Sequence, residues 1–163
     1  MSKPRAERSW RVVIPGQPAA QARPRFANGR AYRAGRSVQW ETAAGLLMIE
    51  RWNQELPQSS KPSGPLFVSA EFVFSRPSRL KWKRRPPPRL LHEKKPDLDN
   101  CLKSLCDALQ GCGIVADDSS ICSLTATKWY AAGNEQPHVS IVLSWQAPEA
   151  KDDEERRVVE GEG

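Results

Sequence analysis

The chain has 163 residues, of which 39% are hydrophobic and 27% are charged, and its formal net charge is +6 at pH 7. This size and composition are typical of a single domain with one core, which excludes a multidomain machine. The longest apolar run, residues 43–49, is short of the roughly 20 residues that a membrane-spanning helix needs, and no signal-peptide core follows the basic start, so we expect a cytoplasmic protein.

The first predicted strand covers residues 10–14 and ends at Pro15-Gly16, because proline cannot donate to a sheet ladder. Residues 15–36 are rich in proline, glycine and arginine, and we expect a loop without regular structure. Residues 1–36 contain nine basic side chains and one acidic side chain. This basic arm, with Arg23-Pro24-Arg25-Phe26 at its centre, predicts a polyanionic partner such as nucleic acid.

Two regular elements and a second basic segment follow. An amphipathic helix is predicted from Ser37, a candidate N-cap, to near Asn53. A strand with one buried face is predicted over residues 66–75, where apolar and polar side chains alternate. Residues 76–95 again contain nine basic side chains and one acidic side chain, and three consecutive prolines exclude a helix there. We expect this segment to be a second basic loop, which also predicts a polyanionic partner such as nucleic acid.

The second half of the chain predicts one helix and two strands. The helix covers residues 99–110, where apolar side chains recur at helical spacing and Gly111 follows as a favoured terminator. Alternating residues 122–127 and 139–145 predict strands, which we expect to pair as a hairpin through Gly133-Asn134. The order β-α-β-α-β-β predicts an α+β domain in which two helices cover a small mixed sheet.

The C-terminal segment differs in charge from the rest of the chain. Residues 149–163 contain three basic and seven acidic side chains, with almost no core-forming residues. We expect a disordered acidic tail there and one domain over residues 1–148.

Five aspartates lie within 22 positions of this basic domain: Asp97, Asp99, Asp107, Asp117 and Asp118. Carboxylates held close together repel one another unless a cation or a proton compensates them. Asp97 and Asp99 are two residues apart before the helix proper and can point to one side, and Asp118 comes from the turn beyond the helix. Three aspartates without a nearby histidine predict Mg²⁺, and the cysteine and histidine spacings do not fit zinc.

A magnesium ion beside a basic surface predicts phosphate chemistry. The ion would polarise a phosphodiester oxygen, activate a water and neutralise the leaving oxygen. Lys103 lies one turn after Asp99, so it can pair with that carboxylate and offer a cation to the same transition state. Asp107 is interpreted as a structural helix residue, and Asp117 either adds a ligand or supports the turn that presents Asp118.

The motif around these aspartates extends over several fixed positions: Lys95-Pro96-Asp97-Leu98-Asp99-Asn100, Lys103, Asp107-Ala108-Leu109, Asp117-Asp118, Ile121 and Lys128. It resembles the signature of the RusA family of Holliday junction resolvases. The basic arm is similar to that of many phage-type members, so the resemblance covers most of residues 10–145. The chain departs from the family pattern at Cys101, where leucine is usual, and in the long proline-rich segment 76–95.

The resemblance implies a small homodimeric endonuclease that depends on Mg²⁺, with Mn²⁺ as a substitute, and resolves four-way DNA junctions by paired symmetric nicks in recombination and repair. It implies Asp97, Asp99 and Asp118 as metal ligands and Lys103 as the catalytic lysine. Trp82 either contacts an unstacked base or anchors its loop on the domain. The residues expected to bind DNA are Arg23, Arg25, Arg79, Lys81, Trp82, Lys83, Arg84, Arg85, Arg89, Lys95 and Lys128.

Three alternatives remain at this stage. The chain is a nuclease for flaps, forks or other branched DNA, or it is a non-catalytic DNA-binding module, or it binds a partner through its acidic tail. In the second alternative, Asp97 caps the helix and the other aspartates pair with arginines. Steep salt dependence of binding without Mg²⁺-dependent nicking would favour the DNA-binding module.

Overall fold

A computed structural model of the chain describes residues 7–21, 25–32, 35–57, 59, 61–81 and 84–147. The expected acidic tail, residues 149–163, lies outside this part of the chain. The described residues form seven strands and two α-helices: β1 (Glu7–Pro15), β2 (Arg25–Ala27), β3 (Arg30–Tyr32), α1 (Gly35–Glu55), β4 (Leu66–Phe74), β5 (Leu90–Leu91), α2 (Leu98–Gly111), β6 (Ile121–Tyr130) and β7 (His138–Gln146).

Five of these strands form one mixed sheet in the order β1-β7-β4-β6-β5. Strand β4 pairs in parallel with β6 and antiparallel with β7, and the two edge strands β1 and β5 pair antiparallel with their neighbours. Helix α2 lies in the connection between β4 and β6, as a parallel pair requires a crossover. The predicted α+β class, with a mixed sheet and two helices, is confirmed.

The predicted hairpin between the last two strands is wrong. Strand β4 lies between β6 and β7, so these two strands do not pair and residues 131–137 pass across the end of β4. The cause is the central position of β4, a strand that ends in the three consecutive buried residues Phe72, Val73 and Phe74. Strand β7 therefore pairs with β4, a strand from earlier in the chain, and not with β6, its neighbour in sequence.

The core lies between the helices and one face of the sheet. Trp52 of α1 packs between Trp10 of β1 and Trp145 of β7, with ring centroids 5.1 Å and 5.7 Å apart. Helix α2 buries Leu105 and Leu109 against the same core, where neither side chain is exposed. These apolar contacts fix α2 on the sheet and leave its opposite face open to solvent.

The basic arm contains regular structure that the loop prediction missed. Strands β2 and β3 form a short antiparallel hairpin across Asn28-Gly29. Asn28 and Gly29 both have positive φ angles, of 51° and 72°, which is the conformation of a type I′ turn. The Asn28-Gly29 pair, a typical signal for such a turn, would have predicted this hairpin.

The first helix also starts earlier than predicted. Helix α1 begins at Gly35, so Ser37 is a buried residue of its first turn and not its N-cap. No helix within the described ranges is both long enough and apolar enough to cross a membrane. All four cysteine thiols are free, and burial raises the pKa of Cys101 to about 11, so this thiol stays protonated at neutral pH.

Candidate active site and nucleic-acid interface

The start of α2 presents the first two aspartates of the motif. Asp97 occupies the N-cap position, where its main-chain oxygen accepts from the Cys101 amide at 3.2 Å, but its side chain makes no capping hydrogen bond. The Asp97 carboxylate is exposed to solvent. The Asp97 side chain therefore does not cap the helix, although one interpretation of the sequence expected it to. Its carboxylate can bind a ligand.

Asp99 and Lys103 form an ion pair on the solvent face of α2. Lys103 Nζ lies 3.5 Å from Asp99 Oδ2 across one helical turn, and both side chains are more than half exposed. The predicted pairing is confirmed. An ion pair this exposed contributes little to stability, so the ammonium can turn toward a phosphate at small cost.

Asp117 and Asp118 begin the short 3₁₀ turn Asp118–Ser120, which leads into β6. The Asp117 carboxylate accepts from the Ser119 amide at 2.8 Å, and this hydrogen bonding lowers the pKa of Asp117. Asp117 thus fixes the turn, and the neighbouring Asp118 residue is exposed. The geometry agrees with the expected supporting role of Asp117.

Asp118 lies next to α2. Burial raises the pKa of Cys106, and the negative charges of Asp118 and Asp107 raise it further, so both carboxylates are near this thiol. Asp99, Lys103 and Cys106 share one face of the helix, because they stand at positions i, i+4 and i+7. The 3₁₀ turn contacts α2, so Asp118 belongs to a segment that lies beside the helix carrying the ion pair.

Lys128 of β6 ties the segment before α2 to the sheet. Its ammonium donates to the Lys94 carbonyl at 2.7 Å and also to the Pro96 carbonyl. Burial raises the pKa of the Cys101 thiol. The positive charge of Lys128 lowers this pKa, and the negative charges of Asp99 and Asp97 raise it, so all three charges act at the start of α2. Lys128, expected to bind DNA, is thus committed to holding the residues that present Asp97.

The three aspartates do not form a closed metal cluster. Within the described ranges, no three side chains of His, Cys, Asp or Glu are grouped closely enough to hold a metal ion. Their chemistry nevertheless fits Mg²⁺, since the ion prefers oxygen ligands, keeps several waters and is commonly bound through one or two carboxylates together with substrate phosphates. An exposed, open set of carboxylates near α2 suits that mode better than a dehydrated protein cage.

Sequence reasoning missed Gln21, which anchors the basic arm on α2. Its main-chain amide donates to the Asn100 carbonyl at 3.0 Å, and its side-chain amide donates to Asp107 Oδ2 at 2.6 Å. Asp107 therefore has the structural role expected for it. Gln21 thus fixes the end of the described segment 7–21 on α2.

The second basic segment lines a cleft of about 490 Å³ against residues 131–137. Lys81, Arg84 and Arg85 are exposed along this cleft, and Arg79 is exposed in the 3₁₀ turn Ser78–Leu80. Lys95 is exposed just before α2. The sequence-predicted residues Arg23, Trp82 and Lys83 lie outside the described residues, and Arg25 is described only as part of the backbone of β2.

Internal contacts hold the base of this segment. Arg76 is buried and donates to the carbonyls of Ala131 at 2.9 Å, Leu80 at 3.4 Å and Pro88. Arg89 forms a bidentate ion pair with Glu135 and a longer one with Glu71 at 3.4 Å. The hydrogen bonds that Arg89 donates to Glu135 outweigh burial and raise the pKa of Arg89. The Arg89 charge, expected to meet DNA, is thus neutralised within the protein.

The Arg89–Glu135 pair provides a test in which charge and structure predict opposite results. If Glu135 only repelled DNA, Glu135→Gln would strengthen DNA binding. Because it holds Arg89 and also accepts from the Ala132 amide at 3.0 Å, we expect Glu135→Gln to weaken binding about fivefold, equivalent to roughly 1 kcal/mol. Fluorescence anisotropy of a labelled junction at several salt concentrations checks this. Tighter binding by Glu135→Gln would contradict the structural role.

Gly133 allows the two sides of the cleft to approach each other. A Cβ atom at this position would lie 2.6 Å from Pro86 Cα and 2.7 Å from Pro86 Cβ, and the Gly133 amide donates to the Pro87 carbonyl at 2.9 Å. We expect Gly133→Ala to lower the free energy of unfolding by about 1–3 kcal/mol, measured by chemical denaturation. Gly111→Ala is the control, because nothing lies within 4 Å of its added Cβ. Equal stability of both variants would contradict the close contact.

Comparison with known proteins adds one finding to this geometry. A protein-family model described as Endodeoxyribonuclease RusA matches residues 15–144, which is most of the chain. No curated protein sequence matches the chain. The matched range contains both helices, the whole sequence motif and the second basic segment.

Proposed function

The chain belongs to the RusA family of endodeoxyribonucleases, which resolve Holliday junctions by hydrolysing phosphodiester bonds, and on this premise we propose a Mg²⁺-dependent enzyme. The Asp97, Asp99 and Asp118 carboxylates bind the ion, with Mn²⁺ as a substitute, and Lys103 acts on the scissile phosphate. Residues 1–148 form the nuclease domain, and residues 149–163 are an acidic tail outside it. The enzyme acts in DNA recombination and repair in the cytoplasm.

The observation that carries this proposal is the set of exposed carboxylates at the start of α2 and in the turn beside it. Asp97 occupies an N-cap position without using its side chain as a cap, and Asp99 lies one turn from the Lys103 ammonium. The 3₁₀ turn that contains Asp118 contacts the same helix. Exposed carboxylates beside cations suit a site that is completed by an anionic substrate and an ion.

The residues have separate tasks in the hydrolysis. When bound, Mg²⁺ supplies charge neutralisation at the phosphate and a water of lowered pKa. Asp97, Asp99 and Asp118 would hold the ion through their carboxylates. Lys103 releases Asp99 and donates to a phosphate oxygen, where negative charge grows as the attacking oxygen adds and the opposite P–O bond breaks.

DNA binding uses the charges that remain exposed. Arg79, Lys81, Arg84, Arg85 and Lys95 contact the backbone, together with Arg23, Arg25, Trp82 and Lys83 of the arm and the loop. Arg89 and Lys128 support these contacts from within the domain, through their bonds to Glu135 and to the 94–96 segment. A homodimer supplies two active sites, so that each junction receives paired symmetric nicks.

The family assignment favours a nuclease over the non-catalytic module. The geometry at Asp97 supports the same choice. In the non-catalytic module we expect the Asp97 side chain to cap α2, but it makes no capping hydrogen bond. A nuclease for flaps or forks would need the same ion site and the same basic surface, so only the substrate distinguishes it.

Metal binding itself tests the proposed site. Electron paramagnetic resonance of Mn²⁺ titrated into the protein reports bound ion without any DNA or cleavage. We expect Asp97→Asn and Asp118→Asn to weaken Mn²⁺ binding at least tenfold. Asp117→Asn is the matched control, because asparagine can still accept from Ser119 and the turn is kept. Equal Mn²⁺ binding by all four proteins would contradict the proposed ligands.

A further inference from the structure

A second cleft, of about 570 Å³, adjoins the proposed active site. It lies between the residues that follow β1, the first turn of α1 and the segment that leads into α2. Lys95 and Pro96 line it, and Asp97 follows them directly in the chain. Its volume is within the range of roughly 300–1,000 Å³ that small-molecule sites occupy.

The floor of this cleft is aromatic and neutral. His92 packs between Phe74 and Tyr130, with ring centroids 4.7 Å and 4.2 Å away, and all three residues are buried. Burial lowers the pKa of His92, so its imidazole is uncharged at neutral pH. Its Nδ1 atom has no hydrogen-bond partner in the described part of the chain, which is unusual for a buried polar atom and calls for an explanation.

The rim of the cleft is positively charged. Arg36 and Lys95 are both exposed there. Arg36 and Ser37 belong to the first turn of α1, which contains no acidic residue. The amide groups at the start of this 21-residue helix add a partial positive charge on the same side. A neutral aromatic floor under a cationic rim suits a ligand with a flat uncharged part and an anionic part.

We propose that this cleft binds one unstacked nucleotide of the junction, with its base on the Phe74-His92-Tyr130 floor and its phosphate at Arg36 and Lys95. This inference rests on the proposed function, since the nucleotide is the one beside the cleavage position. Nucleotides at a branch point have lost stacking neighbours, so extruding them costs less than extruding a base from a continuous duplex. The cleft therefore favours branched DNA over linear DNA.

The test places 2-aminopurine, whose fluorescence rises on unstacking, at the branch point or in the middle of an arm of a four-way junction. The protein is added without divalent metal, so that binding is measured and cleavage is absent. We expect wild-type protein to raise the fluorescence at the branch point alone. Arg36→Gln should weaken junction binding roughly tenfold and lose the fluorescence rise. Arg51→Gln, at the exposed far end of the same helix, removes the same charge and should keep both.

A second variant fills the cleft. Ala20 lines it and is half-buried, and Ala20→Trp should remove the fluorescence rise while the affinity for linear duplex stays unchanged. Tight junction binding and cleavage by wild-type protein without a fluorescence rise would overturn the nucleotide site and leave the nuclease intact. Equal behaviour of Arg36→Gln and Arg51→Gln would overturn it as well. Failure of wild-type protein to bind the junction would overturn the proposed function and this inference together.

Discussion

Asp99→Asn is expected to abolish junction cleavage while junction binding stays unchanged or becomes tighter. Asparagine keeps the size of the side chain but removes the charge that holds a cation, and it also releases Lys103 from its 3.5 Å ion pair. Loss of one negative charge beside the DNA phosphates favours association. Single-turnover cleavage should fall by roughly 10³-fold or more. Anisotropy in the absence of Mg²⁺ measures binding separately.

The control for this variant is Glu93→Gln. Glu93 is an exposed carboxylate that pairs with Lys94 at 3.1 Å, and it lies just before the motif. Its replacement removes the same charge six residues earlier in the chain, at a residue outside the proposed ion site. Glu93→Gln should therefore cleave at the wild-type rate. Cleavage by Asp99→Asn at a rate close to that of Glu93→Gln would exclude Asp99 as a metal ligand.

Lys103→Gln is expected to lower the cleavage rate at saturating protein by roughly 10²–10³-fold, with little change in junction affinity. The Lys103 side chain is 58% exposed and has only Asp99 as an ion-pair partner among the described residues, so its removal leaves the fold undisturbed. Its ammonium is needed only where charge grows in the transition state, and this places the loss in kcat and not in KM. Single-turnover kinetics over a range of protein concentrations separates the two quantities.

Lys94→Gln is the matched control for this lysine. Lys94 is equally exposed and also belongs to a surface ion pair, with Glu93. It loses one positive charge near DNA, so both variants should show the same small change in affinity. Only Lys103→Gln should lose rate at saturation. A loss of affinity alone, equal in the two variants, would make Lys103 a DNA contact without a role in the chemistry.

Local patterns were sufficient to predict the parts of the fold that depend on short stretches of chain. The apolar spacing of α2 and the alternation in β4 and β7 gave the correct element types, because each element buries one face against the core. The spacing of Asp97, Asp99 and Lys103 is also local, since all three lie within two turns of one helix. These residues could be identified as a group before their positions were known.

The remaining features depend on contacts between distant residues. Asp118 comes near α2 only because α2 lies in the crossover between β4 and β6. The pairing of Arg89 with Glu135 joins residues 46 positions apart, and that of Gln21 with Asp107 joins residues 86 positions apart. No periodicity or spacing in the sequence encodes such pairs. The sequence alone therefore could not distinguish the basic side chains that contact DNA from those that hold the loops in place.

The most direct test of the account is cleavage of a synthetic four-way junction, with a linear duplex, a single strand, a flap and a fork of related sequence as controls, each with and without Mg²⁺. Labels on each strand in turn map the cuts. We predict paired symmetric nicks in the junction alone, only with Mg²⁺ or Mn²⁺, and none by Asp99→Asn. Equal cleavage of flaps and forks, or cleavage that persists without a divalent ion, would contradict a Mg²⁺-dependent junction resolvase.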